Sequence, residues 1–105
     1  MHPYRTNTCG ELRHTDISKT ARLSGWVFRK RDHGQLLFID LRDHYGLTQI
    51  VIQPDREFFD LCTRLHLESV ITVTGAVVER SPDTVNPNLS TGEIELVADA
   101  VALEA

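Results

Sequence analysis

The run VITVTGAVVE, Val70–Glu79, sets the tightest limit on what this chain can become. It is dense in β-branched residues, which lose side-chain freedom in a helix and pack well on a pleated surface. Four other stretches read as strands: Thr20–Arg29, Leu36–Arg42, Leu47–Gln53 and Glu93–Leu103. Only the stretch between the third and fourth strands has a helical period. There Phe58, Leu61, Cys62 and Leu65 fall at i, i+3, i+4 and i+7, with Asp55 upstream as the expected N-cap.

The expected order is therefore β-β-β-α-β-β, all-β with one helix. Short links join the first three strands, DHYG being a tight turn. This is the order of the OB-fold, a five-stranded Greek-key barrel that binds oligonucleotides on one face; a small split α+β sandwich fits less well. Gly25 and Gly75 lie inside the two longest strands, where a small barrel needs bends or bulges. One long loop is expected, SPDTVNPNLSTG, Ser81–Gly92. At 105 residues the chain has room for one domain, spanning 1–105, and for one core.

A net charge of −4 argues against non-specific coating of nucleic acid but leaves room for a local basic patch. Cys9 and Cys62 are far apart and read as reduced thiols; the five histidines and Asp40, Asp43 and Asp60 form no metal or acid–base pattern. No apolar run reaches transmembrane length and the N-terminus lacks a signal-peptide core, so a soluble, cytoplasmic protein is expected.

Alternation along the strands separates core from surface. Leu37, Ile39 and Leu41 form one aliphatic set, with Ile50, Ile52, Ile94, Leu96 and Ala98 as its partners. The opposite parity collects Leu36, Phe38, Asp40, Arg42, Gln49, Val51, Glu93 and Glu95, while Trp26 reads as a packing residue. Arg29, Lys30 and Arg31 are expected at the edge of this outer face, where the first strand ends. An aromatic plane, an amide, carboxylates and cations on one face are the parts of a single-strand reader: bases stack, polar groups contact their edges, and cations hold phosphates.

The stretches LSGWVFRKRDHGQLLFIDLRDHYGLTQIVI and NPNLSTGEIEL, with the opening YRTNTCGELR, closely resemble the N-terminal anticodon-binding domain of bacterial-type aspartyl-tRNA synthetases. The resemblance covers essentially the whole chain. It implies an OB-fold that holds the anticodon loop of aspartate tRNA. It also implies that Arg29 and Arg31 contact the loop, that Phe38 stacks on the middle anticodon base, that Gln49 reads that base, and that Glu95 contacts an anticodon base. Lys30 stands where an arginine is common, which keeps a phosphate contact but not a bidentate one. Arg80 and Asn86 border the long loop as weaker candidates. His33 varies in the family, and histidine there accompanies enzymes that charge both aspartate and asparagine tRNAs.

The resemblance places adenylate formation, with ATP and magnesium, in a separate C-terminal catalytic domain, so no cofactor and no catalysis are expected of this chain. The parent is expected to be a homodimer, and the chain, ending in VALEA, an isolated domain. Two other classes stay open on the residues alone: a free-standing, sequence-tolerant single-strand binder and a protein–protein adaptor.

Overall fold

The computed structural model describes residues 5–105, apart from the side chain of His33; the reading of His33 as a loop contact thus lies outside the described residues. Five strands, β1 (Thr20–His33), β2 (Leu36–Asp43), β3 (Gly46–Ile52), β4 (Val70–Glu79) and β5 (Ile94–Leu103), close a barrel in the order β1-β2-β3-β5-β4. Only β3 and β5 run parallel; the other pairs are antiparallel. One helix, α1 (Phe59–Arg64), lies between β3 and β4. This is the OB-fold order expected from the strand pattern.

Period two explains the core. Leu37, Ile39 and Leu41 of β2 face inward opposite Ile52, Ile50 and Thr48 of β3. Ile71, Val73 and Val77 of β4 and Ile94, Leu96 and Ala98 of β5 complete the lining. Cys62 and Leu65 enter the core from the α1 segment, and Phe58 and Leu61 pack against it, as their spacing predicts. Cys9 and Cys62 are free and buried, and burial pushes the Cys62 thiol up to about 11.

Gly75 sits where β4 meets a bulge in β5: Thr74 pairs with Ala100 and Gly75 with Ala98, leaving Asp99 unopposed. A Cβ on Gly75 would lie 2.1 Å from the Val97 carbonyl oxygen, so only glycine admits this approach.

Two local expectations are corrected. The first strand does not end at Arg29 but continues through the basic run to His33, where Gly34 (φ 65°) turns the chain into β2. Charge did not end the strand because the run keeps its ladder with β2, Arg29 pairing with Asp40, Lys30 with Ile39 and Arg31 with Phe38. Asp55 does not cap α1. The segment before the helix is taken up by two tight turns, Arg56 N to Gln53 O and Phe59 N to Arg56 O, which place Phe58 at the cap with no side-chain bond. None of the described helices is long and apolar enough to cross a membrane.

Candidate nucleic-acid interface

A single inserted residue builds the outer face. Up to Val27, β1 points Ala21, Leu23 and Val27 into the core. Strict alternation would then send Arg29 and Arg31 inward. Instead Val27 pairs with Leu41 and Arg29 with Asp40, so Phe28 is a bulge and the parity flips. Three cross-strand rows result on the outside of β1, β2 and β3: Arg31–Phe38–Val51, Arg29–Asp40–Gln49 and Trp26–Arg42–Leu47.

The same flip turns Lys30 away. It pairs with Ile39, and its Nζ donates to the carbonyls of Thr63 at 2.9 Å and Leu65 at 2.5 Å, at the C-terminal end of α1. A cation there complements the helix dipole and its unpaired carbonyls. The structure thus brings Arg29 and Arg31 to the face and sets Lys30 apart from them.

Phe38 lies on the outer face and outside the core cluster, as its parity predicts, yet it is only 9% exposed. The Arg31 guanidinium carbon sits 5.6 Å from its ring centroid. The Arg31 guanidinium also donates to Asp40 Oδ1 at 3.0 Å and to Gln49 Oε1 at 2.9 Å. Gln49 in turn donates from Nε2 to Glu95 Oε1 at 2.8 Å. The row Asp40–Arg31–Gln49–Glu95 is therefore one connected polar chain. It settles the orientation of the Gln49 amide, since a guanidinium can only donate and a carboxylate only accept. Burial raises the Glu95 carboxyl above its usual range, opposed by the Gln49 hydrogen bond and the nearby Arg80 charge.

The loop between β4 and β5 forms the far wall. Arg80, buried, clamps it: Nε donates to the Ile94 carbonyl and Nη1 to the Thr84 carbonyl, each at 2.9 Å. Asn86 holds the loop by its backbone, donating to the Gly92 carbonyl at 3.0 Å, while its side-chain oxygen accepts from the Asn88 backbone at 3.0 Å. A cleft of about 350 Å³ opens between the strands and this loop, lined by Arg29, Arg31, Asp40, Gln49, Arg80 and Asn86 among others. A neighbouring cleft of about 320 Å³ is lined by Phe38 and shares Arg31, Gln49 and Thr84 with the first.

The predicted residues Arg29, Arg31, Phe38, Gln49, Arg80, Asn86 and Glu95 thus gather around two adjoining clefts or, for Glu95, bond to their wall. Sequence reasoning missed Asp40 as the ion-pair partner of Arg31 and Thr84 as shared lining. Asp40 has a signal, its outward parity beside Phe38. Thr84 has none, because its place depends on the path of the loop.

A polar cleft on the strand face of a small barrel is where OB-folds receive single strands. Residues 21–103 match the tRNA anticodon family of OB-fold nucleic acid binding domains. The chain belongs to that family. This OB-fold nucleic acid binding domain is 61% identical over all 105 of its residues to the aspartate–tRNA(Asp/Asn) ligase of Zymomonas mobilis, of which it spans 18%. It is 63% identical over 101 residues, 96% of the chain, to the ligase of the same name from Phenylobacterium zucineum, of which it spans 17%. Among solved structures, it superposes on asparaginyl-tRNA synthetase from Pyrococcus horikoshii complexed with asparaginyl-adenylate. The TM-score is 0.78 at 25% identity, covering 92% of this chain and 21% of that one. The domain therefore spans less than a fifth of the curated relatives named here.

Proposed function

We propose that the chain is the anticodon-binding domain of an aspartate–tRNA ligase, and that it holds the anticodon loops of both aspartate and asparagine tRNAs. The observation that carries this reading is the Arg31–Gln49–Glu95 hydrogen-bonded row beside Phe38. Phe38 offers a stacking plane once Arg31 moves aside. Gln49 and Glu95 offer a fixed amide and a carboxylate to base edges, and Arg29 offers a charge to phosphate. A sequence-tolerant binder needs only stacking and charge, so the amide–carboxylate pair favours a reader. The dual specificity is supported by the names of the two ligases quoted above, both tRNA(Asp/Asn).

In this reading the domain supplies recognition and no chemistry, and the parent is a cytoplasmic homodimer. Amino-acid activation with ATP and magnesium belongs to the part of the relatives that this chain does not span. The chemistry of the cleft agrees. Asp40 is paired with Arg31 and Glu95 accepts from Gln49, while Arg29, Arg31 and Arg80 stand around them, a poor seat for a magnesium ion.

The test is titration with matched anticodon stem-loops for the two tRNAs and with one carrying an unrelated anticodon, repeated after His33→Leu. Affinities for the first two within about tenfold, or 1.4 kcal/mol, with the third clearly weaker, support the proposal. A gap that widens in the variant assigns the relaxed specificity to His33. Equal binding of all three would instead identify a tolerant single-strand binder, and no binding at low salt would point to a protein adaptor.

A further inference from the structure

We propose that Phe28 and Arg42 form a second base-stacking platform, which takes an unpaired base of the same RNA strand beyond those held at Phe38. This rests on the reading of the cleft as an RNA site.

Three observations converge. Alternation from Val27 places Phe28 on the outer face, at the bulge, where the residue is 43% exposed. The Arg42 guanidinium carbon lies 4.8 Å from the Phe28 ring centroid, as that of Arg31 lies 5.6 Å from Phe38. The two pairs have one construction with the strands exchanged: arginine on β1 and phenylalanine on β2 in the first, the reverse in the second. Finally, the charges around Phe28 are uncommitted. Arg31 is engaged by Asp40 and Gln49, but the guanidiniums of Arg29 and Arg42 have no hydrogen-bond or ion-pair partner among the described residues.

Spacing makes the platforms separate. Phe38 and Arg42 are four strand positions apart on the same face, about 13 Å at the usual strand rise. Stacked rings approach to within about 7 Å, so one base cannot use both platforms, whereas two bases of one strand can. Arg29 stands between them, where a phosphate joining such bases would pass. An exposed ring between two unpaired cations suits a polyanion with planar bases better than an apolar protein surface.

The experiment uses the 105-residue chain and the aspartate anticodon stem-loop, with Phe28→Ala, Phe28→Trp, Phe28→Leu and, as a control on the cleft itself, Phe38→Ala. Single abasic sugars are placed in turn at each loop position. Phe28→Ala is expected to weaken binding about tenfold with little change in Tm, and Phe28→Trp to retain it. Phe28→Leu keeps the apolar bulk at the bulge and should lose affinity as alanine does. One abasic position outside the three anticodon bases should cost affinity in the original chain but not in Phe28→Ala, which is the coupling expected of a direct contact. Binding by Phe28→Ala within twofold of the original chain, while Phe38→Ala is impaired, overturns the second platform and leaves the cleft reading intact. Undiminished binding by both variants overturns the cleft reading itself. If Phe28→Ala keeps its RNA affinity and instead abolishes self-association of the chain, the patch is a protein contact and the proposal fails.

Discussion

Gln49 donates to Glu95 across 2.8 Å, and the bond joins β3 to the start of β5. Because the opposite end of the amide accepts from Arg31, Gln49 presents the same polar pattern before any ligand arrives. The amide keeps a second N–H and a second lone pair, so in the proposed reading a base can add a bond there or exchange one of these for its own. Exchange of like for like is nearly neutral, whereas a base that cannot replace the bond leaves a buried polar group unpaired, at a cost of about 1–3 kcal/mol. In the proposed reading the pair discriminates chiefly by penalising the wrong base.

Glu95→Gln tests this directly. Burial raises the Glu95 carboxyl, so the folded state binds its proton more tightly than the unfolded chain does. Stability linked to this group is then greatest at acid pH. It falls as pH rises from the ordinary glutamate value, about 4.3, through the raised one. The glutamine variant still accepts from Gln49 but carries no charge. Its Tm at pH 7 should equal or exceed that of the original chain, its pH dependence should be flatter in that window, and stem-loop binding should weaken by about 1 kcal/mol. Thermal melts across pH and one titration check it. A lower Tm at pH 7 would mean that Arg80 and Gln49 outweigh the burial.

Phe38→Ala separates outer face from core. Phe38 is outside the core cluster but nearly covered, so its loss is not free. We expect destabilisation of about 1.5–3 kcal/mol, in the lower part of the 2–5 kcal/mol range typical of an Ile→Ala change at the fully buried neighbour Ile39. Binding should fall by about 1–3 kcal/mol through lost stacking. Denaturant melts of both variants and a titration of Phe38→Ala decide. Equal destabilisation of the two, with unchanged RNA affinity, would make Phe38 a core residue in all but position.

The basic run should divide in function. With Lys30 turned toward α1, Arg29 is placed to meet a phosphate and Arg31 can meet one on leaving Asp40. Each phosphate neutralised on a single strand contributes about −0.7 to the slope of log K against log salt. Arg29→Ala with Arg31→Ala should therefore flatten that slope by about 1.4. Lys30→Ala should leave it nearly unchanged and lower stability by about 0.3–1 kcal/mol, through the lost cation at the helix end. A Lys30→Ala slope change equal to that of either arginine would show the lysine leaving the helix to join the RNA.

Most of the barrel was legible because it rests on period two, and Leu37, Ile39 and Leu41 declare their face without help from distant residues. The outer face was legible for the same reason at Phe38, Gln49 and Glu95. What sequence alone could not supply was the bulge at Phe28. One inserted residue leaves no mark in composition, yet it decides which of Arg29, Lys30 and Arg31 point outward. The premature strand end and the equal treatment of three cations both follow from missing it. The short helix was hidden differently: its apolar spacing was right, but the turns after Pro54 took up the residues that would have extended it toward Asp55.

Gly92, the last residue of the expected long loop, is a tight packing point of the loop that walls the cleft. A Cβ there would lie 1.8 Å from the Asn86 carbonyl oxygen and 3.0 Å from that of Leu89. The atoms in the way are backbone, so the loop itself must move. It would give up the Asn86 N to Gly92 O bond and disturb Thr84, which Arg80 clamps. The pairing of β2 with β3 does not use this contact, although Thr91 beside it donates to the Leu47 carbonyl of β3. Gly92→Ala should therefore lower stability by about 1–3 kcal/mol, the usual range for overpacking, and weaken stem-loop binding at least tenfold, because Arg80 and Asn86 lose their places. Hydrogen exchange locates the change: amides of residues 81–92 should lose protection, while those of β2 and β3 keep it. Binding within twofold of the original chain, with the loop amides deprotected, would show that this wall takes no part in holding RNA.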